Sequence, residues 1–417
     1  MERRIMHVDV NSAFLSWSAV QRLKDGDKTD LRMIPSAVGG DEKQRKGIIL
    51  AKSIPAKKMG VQTGEAIWQA KQKCPGLVVV PGNYDLYSHM SNLFMAVARD
   101  YSPVIQQYSI DECFIDYTGM EGVMGPCEQA ADRLRQAIRD RLGFTVSVGV
   151  SSCKVLAKMA GELKKPDAVS TVYRYELADK LWPLPVRELF MVGPATERRL
   201  HSLGIFDIGG IARADPALLQ RHMGKHGVLI WNYANGVDPD PVVPGDDVPM
   251  KSYSQSATLP RDMRGPEELL PVFARLCTAL GYRMRDGGGC CRVVSIYFRD
   301  KVFRGWGRQK RLERATDITF ELMRALTDLF WRTYDGSDIR AVGVAFSDII
   351  PSECFSFSLF DGESIRRKSA LDAACDRMRD RYGGRAVLTA RELLSPEFAH
   401  LSRYAPGTEK PRIFCPY

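Results

Sequence analysis

The sequence predicts an α+β protein of several domains, and three observations carry that expectation. Strand-length apolar runs alternate with amphipathic helical stretches and hairpins, which favours an antiparallel or mixed sheet. The chain has 417 residues, enough for roughly two to four domains, each with a core. The stretch DPDPVVPGDDVP, with prolines at 239, 241, 244 and 249, has linker composition.

The elements follow in chain order. Residues 5–10, IMHVDV, read as a short strand, and 12–24 as a helix capped by Asn11 or Ser12. From 25 to 82 come short strands (GIILA), a Lys-rich helix start (PAKKMG) and a second helix (EAIWQAKQKC). Tyr84, Tyr87, Met90, Leu93, Phe94 and Val97 recur three or four apart, a helical spacing over 83–99. VIQQYSIDECFIDYTG gives two strands around Asp111 and Glu112. A helix (CEQAADRLRQAIRDRL), a buried strand (FTVSVGVS) and another helix (KVLAKMAGELKK) come next, and Pro166 ends the last. Residues 174–240 read as short helices broken by glycine. A β-rich region starts near Lys251, with helices expected at 265–287 and 313–333 and strands near 292–304 and 340–348. A mixed-charge helical pattern runs from about 360 to Leu394. No solenoid-period repeat and no low-complexity tract occurs.

Composition narrows the function. A chain 45% hydrophobic and 26% charged is a folded protein, not a disordered or fibrous one. Its longest apolar runs, such as LVVV at 77–80, are too short to span a bilayer. No apolar signal segment opens MERRIMHVDV, so a cytoplasmic location with no membrane partner is expected. Ten cysteines form no C-x-x-C pair and no zinc spacing with the six histidines, which argues for reduced, mostly buried thiols. The 59 Lys and Arg against 50 Asp and Glu hint at a polyanionic partner. Residues 292–314 say more, since they hold eight Lys or Arg and only two acids.

Three carboxylates stand out: Asp9 at the end of the first strand, and Asp111 with Glu112 between two strands. Strands far apart in sequence can pair and bring such groups together. Hard divalent cations need several carboxylate oxygens in one place. Two such ions clamp the attacking and leaving oxygens of a phosphoryl transfer. Neighbours in a regular strand face opposite ways, so Asp111 and Glu112 reach one site only from a hairpin or bulge. An isolated Asp-Glu pair is more often a polar turn, but the apolar flanks YSI and CFIDY weaken that reading.

HVDVNSAFLSW at 7–17, AKSIPAKKMGV at 51–61, YSIDECFID at 108–116, SVGVSSCKVLAKMAGELKKP at 147–166 and VGPATERRLHSLGI are five segments in one order. In that order and spacing they resemble the Y-family DNA polymerases, the translesion class with DinB (DNA polymerase IV) and UmuC branches. The resemblance is strong over roughly the first 240 residues and weaker beyond. It implies a multidomain right-hand polymerase with an antiparallel or mixed-sheet palm, small fingers, a helical thumb with helix-hairpin-helix turns and an α/β little finger. The palm is expected at 1–12 and 83–172, fingers at 13–82, thumb at 173–240, linker at 241–250, little finger at 251–360 and a tail at 361–417.

The resemblance also implies site residues. Asp9, Asp111 and Glu112, with the main-chain carbonyl of Val10, would hold two Mg²⁺ ions. Phe14 falls where the family has its steric-gate aromatic, which excludes a 2′-hydroxyl; by pattern alone it reads as a core residue. The amides of Ala13 and Phe14 would face phosphate oxygens. Lys57 and Lys165 would neutralise the triphosphate of a deoxynucleotide. Here the sequence departs from the DinB pattern Tyr-x-Ala-Arg-Lys, having Ile54-Pro55-Ala56-Lys57-Lys58 instead. Ile54 donates no hydroxyl hydrogen bond, and Lys57 replaces a bidentate Arg by a point charge. Ser53 is the candidate to supply the missing hydroxyl.

Gly193, Gly204, Gly224 and Gly227 would let thumb amides approach the phosphates of primer–template DNA. Arg299, Lys301, Arg304, Arg308, Lys310 and Arg311 would line its backbone in the fourth domain. SFSLF at 356–360 resembles the peptide that docks bacterial polymerases on the sliding clamp, with Leu359 and Phe360 as anchors. A monomer in the cytoplasm, associated with the nucleoid, is expected. The expected activity is low-fidelity, template-directed DNA synthesis that releases pyrophosphate. The alternatives are an inactive scaffold of the same fold, which the intact carboxylates oppose, and a nuclease or nucleotide cyclase with a similar palm.

Overall fold

A computed structural model describes residues 3–40, 45, 47–244, 250–354, 362–384 and 386–390. The chain divides into two units, the first chiefly Met1–Gly40 with Ile48–Val248 and the second chiefly Pro249–Thr408. Strands of the first unit are β1 (Ile5–Val10), β2 (Ser36–Gly39), β3 (Ile49–Lys52), β4 (Val78–Pro81), β5 (Ile105–Gln107), β6 (Glu112–Asp116), β7 (Val146–Ser151) and β8 (Val169–Thr171).

The larger sheet has the order β5-β6-β1-β7-β8. All its pairings are antiparallel except β7 with β8, so it is mixed, as the alternation of helices and hairpins predicts. β1 lies at its centre because both its faces are covered. Met6, Val8 and Val10 point into a core shared with the helices Ala13–Lys24, Tyr84–Arg99 and Cys127–Leu142. The other face carries His7 and Asp9, opposite Phe114 and Glu112 of β6. The Lys154–Leu163 helix packs on this second face. It comes so close to β7 that a Cβ on Gly149 would lie 1.9 Å from the Ala157 carbonyl oxygen.

A smaller sheet, β3-β2-β4, falls within 13–82 and encloses its own core around Ile49, Ala56, Ile67 and Leu77. Residues 177–234 are helices, Leu177–Lys180, Pro194–Ser202, Ile208–Arg213, Pro216–Met223 and Lys225–Ala234, around a third core that includes Leu200, Leu219 and Ile230.

The second unit adds β9 (Ser252–Met263), β10 (Gly289–Asp300), β11 (Gly305–Thr316) and β12 (Ile339–Pro351) in the antiparallel order β11-β10-β12-β9. Helices Pro266–Asp286 and Thr319–Thr333 cover one face, over Val294, Ile296, Phe298, Val342, Val344 and Phe346. The other face alternates with it and carries Ser295, Tyr297 and Arg299. Residues 313–316, expected to begin a helix, instead complete β11, where Thr316 pairs with Cys291. Cross-strand pairing outweighs the helical look of LERAT. The tail helix Gly362–Tyr382 docks by one charged stripe: Asp372 and Asp376 ion-pair with Arg285, and Asp380 accepts from the Tyr282 hydroxyl.

Candidate active site

β1 and β6 bring the three carboxylates to one end of the central sheet. Asp9 and Glu112 are cross-strand partners, and the Val10 N–H donates to the Asp111 carbonyl at 3.0 Å. The link between β5 and β6 turns back on itself, with the N–H groups of Tyr108 and Ser109 both donating to the Glu112 carbonyl. Asp111 sits on this turn and not in a regular strand, and the Ser109 hydroxyl fixes its carboxylate by donating to Oδ1 at 2.6 Å. β1 and the turn before β6 thus place the backbones of these three residues at one end of the sheet.

The side chains divide into two groups. Asp9 and Asp111 line a cavity of about 330 Å³. Burial raises both carboxyls above the usual Asp range, although Lys165 works against this at Asp9 and Ser109 at Asp111. Lys165 Nζ donates to Asp9 Oδ2 at 2.7 Å and to Glu162 at 2.6 Å. Glu112 does not line the cavity. Its Oε2 accepts from His7 Nε2 at 2.8 Å and from Lys158. Burial would raise its pKa, but the His7 hydrogen bond and the Lys158 charge outweigh that and bring it down to about 2. Burial lowers the His7 pKa and favours a neutral ring, whose Nε2–H donates to the carboxylate. His7 and Lys158 lie within two of the resembling segments, but neither was singled out as a site residue. Only the register of β1 on β6 and the close seating of the helix over Gly149 place them there.

Among the described residues no three Asp, Glu, His or Cys side chains converge on one metal-sized point. The oxygen set still suits magnesium. That ion is commonly held by one or two carboxylates, with water and substrate phosphate completing its shell. Asp9 and Asp111 are two such carboxylates, and Val10, its side chain in the core, shows the cavity its main chain.

The rest of the cavity is lined by Ser12, Ala13, Phe14, Leu50, Ala51, Lys52, Ser53, Ile54, Lys57 and Thr63. Ser12 is left-handed, at φ 49°, and makes no side-chain cap on the Ala13–Lys24 helix. Asn11 does not cap it either: it accepts from the Ser147 hydroxyl and donates to Thr145. The first amides of that helix are thus left without a side-chain partner at the cavity wall, which suits an anion. Phe14 stacks on the buried Tyr87 ring, centroids 4.5 Å apart and 15° from parallel, which fixes it as a flat wall. Lys57 is at the cavity as expected. Ser53 is there too, but its hydroxyl donates to the Ile34 carbonyl and accepts from the Ser36 and Ala56 amides. With its single hydrogen used, it caps a helix and has none for a phosphate. Lys52 and Thr63 were not anticipated.

In the helical region, Gly193 precedes the Pro194–Ser202 helix, and Gly204 and Gly224 are left-handed turn residues. Gly227 has a different job from the expected one. It is buried, and a Cβ there would lie 2.2 Å from the Leu219 carbonyl, so it lets two helices touch. The basic run splits across β10 and β11. Arg299 and Arg311 are opposite Gly305 and Val293, on the sheet face without helices. Lys310 pairs with Asp328 of the covering Thr319–Thr333 helix, and its cross-strand partner is the core residue Val294. It therefore faces away from Arg299, against the expectation of one basic face. Arg308 shares that register, opposite Ile296. Lys301 and Arg304 lie at the turn, ion-paired to Asp338 and to Asp300 and Asp335. Leu359 and Phe360 lie outside the described residues. Among those described, no helix is long and apolar enough to cross a membrane.

A mixed sheet with paired carboxylates at one end, facing a cavity with an open helix start and lysines, suits chemistry on phosphate groups. Residues 8–162 match the impB/mucB/samB family, 176–205 the IMS family HHH motif and 250–359 the impB/mucB/samB family C-terminal domain. The chain is 41% identical over 392 residues to a DNA polymerase IV of Clostridium acetobutylicum, covering 93% of this chain and 98% of the relative. It is 36% identical to a DNA polymerase IV of Acetivibrio thermocellus (92% and 96% covered) and 31% to DNA polymerase IV 1 of Bacillus subtilis (95% and 94%). Among solved structures, the Y-family DNA polymerase chimera Dbh-Dpo4(243-245)-Dbh superposes with a TM-score of 0.72 at 23% identity, covering 84% of this chain and 99% of the chimera. The chain belongs to the impB/mucB/samB family, together with the DNA polymerases IV that it matches.

Proposed function

We propose that the chain is a DNA-directed DNA polymerase of the translesion type. It adds deoxynucleotides to a primer 3′-hydroxyl and releases pyrophosphate. The observation that carries this reading is the pairing of β1 with β6, which sets Asp9 and Asp111 on one wall of a cavity whose other walls hold Phe14 and Lys57. Metal ions, two Mg²⁺ in this reading, supply activation of the primer hydroxyl and neutralisation of the departing pyrophosphate when bound. Asp9, Asp111 and the Val10 main chain would hold them; Glu112, expected as a third carboxylate, is instead turned to His7 and Lys158.

The chain's own groups do the rest. Phe14, fixed by Tyr87, presents a flat wall beneath the incoming sugar. The amides at Ala13 and Phe14, with Lys57 and Lys165, take the triphosphate charge. Gly193, Gly204, Gly224 and the basic residues Arg299, Lys301, Arg304 and Arg311 hold primer–template DNA by its phosphates. Residues 1–12 with 83–172 act as palm, 13–82 as fingers, 173–240 as thumb and 251–360 as little finger. Clamp docking through Leu359 and Phe360, and a monomeric enzyme in the bacterial cytoplasm, complete the reading; both rest on sequence.

Primer extension on a template with an abasic site tests the proposal. Wild type should extend past the lesion in Mg²⁺ and stop in chelator, and Asp111→Ala should abolish extension on any template. A wild type that binds DNA but extends nothing would favour the scaffold instead.

A further inference from the structure

We propose that Lys52 is a further binding residue for the triphosphate of the incoming nucleotide. The inference rests on the polymerase reading and sharpens its substrate site. β3 brings Leu50, Ala51 and Lys52 to the cavity that Asp9, Asp111 and Phe14 also line, and of these Leu50 and Lys52 are half-buried where Ala51 is buried. Lys57 reaches the same cavity from the Ile54–Lys58 helix that follows.

The Lys52 ammonium carries three donors. One bonds the Thr63 hydroxyl at 3.1 Å. Two charged groups act on it, Lys57 repulsively and Glu65 attractively. Glu65, however, is ion-paired to Lys73 at 2.5 Å and also accepts from the Gln62 amide. Among the described residues no carboxylate is ion-paired to Lys52. Burial and the Lys57 charge both disfavour its protonation. Two like charges on one wall, neither ion-paired to a carboxylate among the described residues, are a cost that folding does not require. A multiply charged anion lying between them removes it. Ile54 stands beside this pair, is 46% exposed and donates no hydrogen bond, so Lys52 is the group nearest in sequence that can.

The test is steady-state incorporation on a primer–template with each of the four deoxynucleoside triphosphates, using wild type, Lys52→Met and Lys52→Arg. Lys52→Met keeps the aliphatic stem and removes the charge. It should raise KM about tenfold for all four nucleotides alike. Primer–template affinity should stay unchanged, and product inhibition by inorganic pyrophosphate should weaken by a similar factor. Lys52→Arg should restore KM to within about threefold. An unchanged KM in Lys52→Met would overturn the assignment. So would a KM rise that depends on the base, or that pyrophosphate inhibition does not follow. Extension by wild type in the same assay keeps this outcome separate from a failure of the polymerase reading itself.

Discussion

Phe14 shows how one side chain serves both packing and selectivity. Its ring is held against Tyr87, whose hydroxyl lies 3.0 Å from that of Ser18, so the wall it presents cannot swing away. Phe14→Ala should raise ribonucleotide use relative to deoxyribonucleotide by about 10- to 100-fold, read from paired KM and kcat values. An unchanged ratio would remove the assignment. Asp111 illustrates the opposite balance, since burial holds its carboxyl above the ordinary range. A raised acid binds more protons folded than unfolded, so stability falls as pH rises from the ordinary Asp value through the raised one. In chelator at pH 7, Asp111→Asn should therefore melt roughly 2–4 °C higher than wild type. The gap should close on acidification, while extension activity drops about a thousandfold. A lower melting point at pH 7 would contradict the burial argument. Ser53 marks where residue-level reading stops: nothing in the sequence tells that its hydroxyl is bonded to Ile34, Ser36 and Ala56.

At the level of elements, Gly149 lets the Lys154–Leu163 helix rest backbone on backbone against β7. That seating brings Lys158 to Glu112 and leads the chain to Lys165 beside Asp9. Gly149→Ala should lower unfolding stability by about 3 kcal/mol in urea titration and reduce extension together with it. Wild-type behaviour in both would show that the helix yields freely. Strands and helices with one strong period were legible: IMHVDV is apolar enough for a central strand, and the Tyr84–Val97 spacing gave its helix. LERAT was not, because its strand state comes from β10, where Thr316 pairs with Cys291. Glu112 facing His7 and Lys158 was not legible either, since it depends on a register set between segments a hundred residues apart. Gly227 could be seen as a special position, but a glycine that admits a neighbouring helix looks the same in sequence as one that admits a phosphate.

For the molecule as a whole, the charge count predicts affinity for a polyanion, and the sheet register of the second unit says which charges count. Primer–template affinity should fall steeply between 50 and 200 mM salt, by about a thousandfold for roughly six phosphate contacts. Arg311→Ala should reduce the slope of log K against log salt by about one. Lys310→Ala, on the helix-covered side with Asp328, should leave it unaltered; equal slopes for the two variants would refute this division of the basic run. The acidic stripe of the Gly362–Tyr382 helix bears on the second unit in another way. Arg285 has only 13% of its side chain exposed and relies on Asp372 and Asp376 for counter-charge. Removing one partner of such a buried pair costs about 3–5 kcal/mol, so Asp376→Ala should visibly lower the unfolding midpoint of this unit. A chain cut short after Cys354 would lose both aspartates at once. Such a fragment should be prone to aggregation and quickly degraded, so a defect seen on deleting the C-terminal region is not by itself a measure of lost clamp recruitment.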